Sequence, residues 1–290
     1  MGKKNRVSSD TKGRKAEQGS ALPPIQRDKH RHATFMYNSA VSLHQQGNIL
    51  QAASLYHQAI VLHPTFIEAY LNLIAALGVM GKLQEAMHVC NQAIRIAPTN
   101  ASAYNNRGNV WRDMRCPDMA LTDYDRAIHL NPGLADAHHN RGMVLLDMKR
   151  YDEALAACNQ SVFLFPSSSN AHLNRGVVLS TLGRREDALS SFDLAIATNP
   201  HNAKAHANRG AVLTDLRRFD EALSSCDRSI ELAPSAIAFQ NRGNIMEKLG
   251  RYEDALADYD QAIRINPNLA DAYSNKANVL NVTRQFNDAL

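Results

Sequence analysis

Residues 101–134 read ASAYNNRGNVWRDMRCPDMALTDYDRAIHLNPGL, and the same frame returns in the segments on both sides. The tripeptide Asn-Arg-Gly marks the frame at 106–108, 140–142, 174–176, 208–210 and 241–243, at spacings of 34, 34, 34 and 33 residues. A fixed period of this length indicates an array of structural repeats that bury their apolar faces against one another. We number eight repeats, which start near residues 33, 67, 101, 135, 169, 203, 236 and 270, with the last one truncated.

Each repeat is predicted to form two helices, which we call its first and second helix. In the third repeat they cover 101 to about 114 and 117 to about 130. A proline that cannot continue a helix closes almost every repeat. These prolines are Pro64, Pro98, Pro132, Pro166, Pro200, Pro234 and Pro267. Between the two helices stands either a glycine, which accepts left-handed backbone without a Cβ penalty, or a basic residue, for which we expect either strain or a different turn geometry. The glycines are Gly47, Gly81, Gly183 and Gly250, and the basic residues are Arg115, Lys149 and Arg217.

Glycine also recurs in the middle of the first helix, where it costs roughly 1 kcal/mol relative to alanine. We interpret these glycines as points of close approach to a recurring alanine of the second helix. The glycines are Gly108, Gly142, Gly176, Gly210 and Gly243, and the alanines include Ala120, Ala154, Ala188, Ala222 and Ala255.

Together these positions resemble the tetratricopeptide repeat. In the third repeat they are Tyr104, Arg107, Gly108, Trp111, Ala120, Tyr124, Ala127 and Pro132, with Arg107 in place of the family's common leucine. The resemblance covers residues 33–290, about seven and a half repeats. It implies an all-α fold, a right-handed α-solenoid of helix-turn-helix repeats, in which the first helices line a concave groove.

The array has two irregularities. One residue is missing between Pro234 and Gly243 relative to the other repeats, so one connection is expected to be tighter. The chain stops at Leu290, only a few residues into a second helix, and we expect the 290 residues to be part of a longer protein.

Charge separates the first 32 residues from the rest. Residues 1–32 carry nine Lys or Arg and three Asp or Glu, a net charge of +6, whereas the remainder has a net charge of −2. The polar basic tail is expected to be disordered, either as a plain solvated tail or as a nuclear-targeting or nucleic-acid-contacting arm. The nearly neutral array argues against nucleic acid as its partner. No long apolar run predicts a membrane span or a signal segment, so we expect a soluble, cytoplasmic protein.

Several residues could suggest chemistry, but their spacing does not support it. Cys90, Cys158 and Cys226 occupy one repeat position and alternate with Tyr124, Phe192 and Tyr259, which predicts buried free thiols in a core of alternating layers. A histidine column supplies one side chain per repeat, which cannot converge on a metal ion. It comprises His138, His172 and His206. We therefore predict no cofactor, no metal and no catalytic activity.

An arginine column is expected to pair with aspartates of the second helices rather than bind anions. The arginines are Arg107, Arg141, Arg175, Arg209 and Arg242, and the aspartates are Asp125, Asp193, Asp227 and Asp260.

The sequence thus predicts a scaffold that holds a protein partner, as an extended peptide or a helix, in its groove. A second hypothesis is a substrate-recruiting arm of a larger glycosyltransferase, because the repeats resemble those of O-linked N-acetylglucosamine transferase and Spindly-type proteins. The predicted peptide-binding residues are asparagines two positions before the small residue of each first helix. They are Asn72, Asn106, Asn140, Asn174, Asn208, Asn241 and Asn275, with Asn38 at the same position in the first repeat. An asparagine amide can bond both the N–H and the C=O of a peptide, but it can equally fix the neighbouring repeat, and both roles remain open.

Overall fold

The structure is a computed structural model that describes the backbone of residues 24–288 and the side chains of residues 26–284. The described backbone consists of α-helices and short connections, which confirms the all-α repeat architecture. The chain divides into two compact units, residues 1–80 and 81–290. The first unit contains α1 Pro24–Gln45, α2 Ile49–Leu62 and α3 Ile67–Val79.

The second unit repeats the helix pair. Its helices are α4 Leu83–Ile96, α5 Ala101–Asp113, α6 Pro117–Leu130, α7 Ala135–Asp147, α8 Tyr151–Leu164, α9 Ser169–Thr181, α10 Arg185–Thr198, α11 Ala203–Asp215, α12 Phe219–Leu232, α13 Ala236–Lys248, α14 Tyr252–Ile265 and α15 Ala270–Asp288. Odd-numbered helices are first helices and even-numbered helices are second helices. From α5 onward each first helix packs against its own second helix and also touches the next first helix.

The turns within repeats adopt one geometry whichever residue occupies them. The four glycines have φ between 70° and 81°, and Arg115, Lys149 and Arg217 have φ of 63°, 61° and 60°. A side chain with a Cβ pays roughly 1–2 kcal/mol for this left-handed conformation. Of the two alternatives for the basic turn residues, the structure shows the strained left-handed turn and not a different geometry.

A proline carbonyl anchors the connection between most repeats, a role that the sequence pattern did not predict. Tyr104 donates its hydroxyl to the carbonyl oxygen of Pro98 at 3.2 Å, six residues earlier. Nε2 of each column histidine lies 2.8–3.1 Å from the carbonyl of its own preceding proline. Tyrosine and histidine are interchangeable here because each places a polar N or O at the end of a flat ring. The histidine column thus serves the connections between repeats.

The mid-helix glycines face the alternating column of aromatic and cysteine side chains. A Cβ added to Gly176 would lie 2.5 Å from Cε1 of Phe192, and one added to Gly210 would lie 2.5 Å from Sγ of Cys226. The recurring alanine predicted to make this contact is therefore not the principal contact; in the cysteine-containing repeats it contributes only its carbonyl oxygen, 3.2–3.3 Å away. Glycine is required because the ring or the sulfur lies directly on the first helix.

The two ends of the described chain differ from expectation. Helix α1 begins at Pro24, nine residues before the boundary expected at residue 33, because neither Gly nor Pro interrupts residues 25–46. His30, inside the segment expected to be disordered, packs against His63 with ring centroids 4.8 Å apart. The rest of the predicted tail lies outside the described residues. Helix α15 continues to Asp288, so Arg284, at the expected turn position, lies inside a helix.

The connection between α12 and α13 is one residue shorter than the other connections between consecutive repeats. It contains Ala233, Pro234 and Ser235, whereas the connections on either side, 199–202 and 266–269, contain four residues. A backbone hydrogen bond closes each of those four-residue turns, and within the described chain the 233–235 connection has none. The tighter connection predicted from the sequence is confirmed, and α13 makes more extensive contact with α11 than other consecutive first helices make with each other.

Candidate functional site

The predicted asparagines lie on one face of the first helices. Asn38 is exposed, and the other seven are half-buried. A half-buried amide reaches both a neighbouring helix and solvent, so its position alone fits either of the two roles left open by the sequence. Its hydrogen bonds show which role the protein itself already uses.

Most of these asparagines donate their Nδ2 hydrogens to the preceding first helix. Asn140 donates to Oδ1 of Asn105 at 3.0 Å. Asn174 places Nδ2 3.1 Å and 3.0 Å from the two ring nitrogens of His139. In the first unit Asn72 donates to the hydroxyl of Tyr37 at 3.0 Å. The acceptor is the residue immediately before the asparagine of the preceding repeat, a position that varies freely in sequence. A structural role between repeats is therefore present for these asparagines.

The last three asparagines differ. Asn241 donates to the backbone carbonyl of Ala207 at 3.0 Å, which fits the closer approach of α13 to α11. Asn275 donates to Oδ1 of Asn244 at 2.9 Å. Among the described residues, the Asn208 amide makes no hydrogen bond, because the residue 35 positions before it is Leu173, whose side chain has no acceptor. Asn208 therefore keeps both donor and acceptor available.

The oxygen atoms of the bonded amides remain available. Within the described part of the chain, Oδ1 of Asn140, Asn174 and Asn241 receives no hydrogen bond. Burial lowers the pKa of His139, so its ring is neutral near pH 7 and can accept from Asn174. The face therefore carries a series of amide oxygens that accept no hydrogen bond from the described residues.

Three of the five column arginines pair with the predicted aspartates, whereas Arg175 instead donates to Asn159 and Ser191. Arg141 binds Asp125 and Arg209 binds Asp193, each with an Nε–Oδ1 distance of 2.7 Å. Asp227 accepts from Nη1 of Arg242 at 2.7 Å, and Asp260 binds Lys276. Each of these four pairs joins the second helix of one repeat to the first helix of the next. These side chains therefore already hold neighbouring repeats together within the protein.

Two stronger ion pairs were missed in the sequence. Asp123 and Asp258 are buried, and each accepts two hydrogen bonds of 2.7–2.9 Å from Arg107 and Arg242 respectively. Bidentate pairs of this kind are among the stronger hydrogen-bonded interactions in proteins. The signal was present, since both aspartates stand 16 residues after their arginine, but only two of the repeats carry it.

The cysteines are packing residues. Cys90, Cys158 and Cys226 are buried and free, and burial raises the pKa of each thiol to about 12. Across the described residues there is no group of three or more His, Cys, Asp or Glu side chains able to hold a metal ion. None of the described helices has both the length and the apolarity that a membrane span requires.

Comparison with known proteins identifies the repeats. Family models described as tetratricopeptide repeat match residues 43–106, 101–134, 135–168 and 173–237, and one described as TPR repeat matches 243–281. No curated protein gives a significant match. A tetratricopeptide repeat protein from Parabacteroides merdae aligns over 86% of this chain and 99% of its own, with 18% identity and a TM-score of 0.63.

Two further solved structures share the fold. The Cut9–Hcn1 hetero-tetramer of the APC/C aligns over 83% of this chain and 48% of that chain, with 18% identity and a TM-score of 0.74. YrrB, described as a TPR protein with an unusual peptide-binding site, aligns over 65% of this chain and 97% of its own, with 28% identity and a TM-score of 0.51.

Proposed function

The chain belongs to the tetratricopeptide-repeat family, and from that premise we propose that it holds an extended segment of a partner protein along the face formed by its first helices. The fold is that of a protein-interaction scaffold. The likeness to YrrB, a repeat protein with a peptide-binding site, supports a peptide as the partner's bound form. We propose no catalytic role for the repeats.

The observation that carries the proposal is the series of oxygen acceptors on the asparagine column. Each bonded amide uses its hydrogens to hold the preceding repeat, so its orientation is fixed before a partner arrives. Its Oδ1 remains able to accept a backbone N–H from the partner. Consecutive helices pack ~8–10 Å apart and an extended chain rises ~3.3 Å per residue, so one amide would meet about every third residue. Such a column would recognise the backbone of a partner more than its side chains.

The test replaces Asn140, Asn174 and Asn241 together. The probes are fluorescent peptides selected on the unmodified chain from a random library of about 12 residues, which extend ~40 Å at ~3.3 Å per residue. Alanine at the three positions removes both donor and acceptor, and aspartate removes the donor but retains oxygen acceptors. We expect both triple variants to melt at lower temperature, because each lost hydrogen bond contributes roughly 0.5–1.5 kcal/mol.

The two triple variants separate the roles. We expect the alanine variant to lose most peptide binding and the aspartate variant to keep more of it. Unchanged binding by the alanine variant, combined with a lower melting temperature, would make the column purely structural. Failure of the unmodified chain to select any peptide would refute an extended peptide as the ligand.

A further inference from the structure

The face of the first helices contains a pocket of about 350 Å³ between α11 and α13. Its walls are apolar and come from Ala203 and Ala207 on α11, Ala233 in the short connection, and Ile237 in the first turn of α13. Ile237 is 47% exposed. The volume lies at the lower end of the ~300–1,000 Å³ that ligand pockets typically occupy. It therefore suits one side chain better than a whole small molecule.

The pocket lies beside the shortened connection. The neighbouring four-residue connections have an extra residue and a closing backbone hydrogen bond, and 233–235 has no such bond to any residue that the structure describes. At the same repeat position as Ile237, α11 carries Lys204 and α9 carries Asn170. The apolar surface at this point is therefore specific to the junction between the sixth and seventh repeats.

Two polar groups on α11 border the pocket. Asn208, as described above, has no hydrogen-bond partner among the described residues, unlike the asparagines of the repeats on either side. Lys204 is exposed, and within the described chain its ammonium group forms no ion pair. The two residues are four apart on one helix, so their side chains are neighbours. An apolar pocket, an unbonded amide and an unpaired cation thus lie together.

We propose that this pocket is the specificity subsite of the scaffold, and that it accepts an aliphatic side chain of an extended partner segment that carries an acidic residue one or two positions away. Asn208 bonds the backbone of the segment beside the aliphatic residue, and Lys204 pairs with the acidic side chain. The inference rests on the proposed function, since it names the partner sequence that the groove selects. The backbone-reading asparagines hold the chain, and this junction determines its register.

The test uses the peptides selected on the unmodified chain. We expect them to share an aliphatic residue and an acidic residue one or two positions apart. Ala203→Leu fills the pocket, and Ala135→Leu is the matched control at the same position of the fourth repeat. Loss of one buried aliphatic side chain should weaken binding by about tenfold to a hundredfold in the first variant, and the control should leave affinity unchanged. A threonine inserted between Pro234 and Ser235 restores the usual connection length and should have the effect of Ala203→Leu.

Lys204→Glu provides a readout that a structural role would not change. A new selection on this variant should return peptides in which the acidic residue is replaced by a basic one. The inference is wrong if the Ala203→Leu variant, with an unchanged melting temperature, binds the original peptides as tightly as the unmodified chain. It is also wrong if Lys204→Glu selects the same motif. If the triple alanine variant of Asn140, Asn174 and Asn241 still loses binding in those cases, peptide binding by the asparagine column remains supported and only the specificity subsite is refuted. Absence of any selected peptide would refute both.

Discussion

Gly176→Ala should destabilise the protein even though alanine is the better helix former. Alanine gains about 1 kcal/mol in helix propensity. Its Cβ, however, would lie 2.5, 2.7 and 2.9 Å from three ring atoms of Phe192. That ring is 1% exposed and is packed in a cluster with Leu179 and Leu189, so it has no room to withdraw. Overpacking of a filled core typically costs 1–3 kcal/mol, and three contacts this short place the cost at the upper end. We expect a net loss of about 2 kcal/mol.

Gly78→Ala is the matched control. Gly78 also lies in a first helix, but a Cβ there would meet no atom within 4 Å, so the same substitution should stabilise the protein by about 0.5–1 kcal/mol. Hydrogen exchange of α9 and α10 is a suitable assay, because repeat arrays open locally, and urea unfolding gives the global change. A Gly176→Ala variant as stable as Gly78→Ala would show that close contact with the ring is not the reason for glycine.

The other predictions concern the turns, the ion pairs, pH and the thiols. Arg217→Gly should raise stability by about 1 kcal/mol in urea unfolding, since glycine relieves the left-handed strain, whereas Arg218→Gly should not. Asp123→Ala should lower the free energy of unfolding by about 2 kcal/mol. This is less than the loss expected when a fully buried ion pair is broken, because the side chain of Arg107 is 24% exposed. A loss below about 0.5 kcal/mol would contradict this expectation. Burial lowers the pKa of His139 in the folded protein. The contribution of the neutral His139 ring to the free energy of unfolding should therefore be fully present above the unfolded pKa of ~6.5 and decrease as the pH falls below that value. Melting curves between pH 8 and pH 5 should show a smaller decrease in the His139→Asn variant. Iodoacetamide should label the three buried cysteines only after denaturation, and labelling of them in the native protein would contradict their burial.

Periodicity predicted the fold because every repeat solves the same packing problem. The proline, glycine and alanine columns place the helix pairs and the turns between them without reference to tertiary contacts, as in the third repeat, where α5 and α6 lie where expected. The contact of Gly176 was assigned to the wrong partner because spacing gives the axial level of a residue but not how far a side chain extends. The aromatic ring of Phe192 reaches across from the next turn of α10 and occupies the space first.

The asparagine column could be found from the sequence, but its hydrogen bonds could not. Asn140 and Asn174 bond to the residue at the variable position of the preceding repeat, and an acceptor there can be an amide, a ring nitrogen or a hydroxyl. Variation at that position therefore gave no sign of a shared role. The pocket beside Ile237 was likewise hidden, because a one-residue deletion shows that a connection is short but not what its shortening exposes.

The alternation of core layers determines how this array can be lengthened or shortened. Tyr124 shares a cluster with Cys158, and Phe192 shares one with Cys226, so a wide layer always meets a narrow one. Removal of residues 135–168 would bring the ring of Tyr124 towards that of Phe192, with no thin layer between them. Removal of residues 135–202 would instead join Tyr124 to the narrow layer of Cys226. Repeats should therefore be added or removed in pairs of 68 residues, which is the interval between successive buried cysteines. Arrays that gain or lose a single repeat should fold poorly.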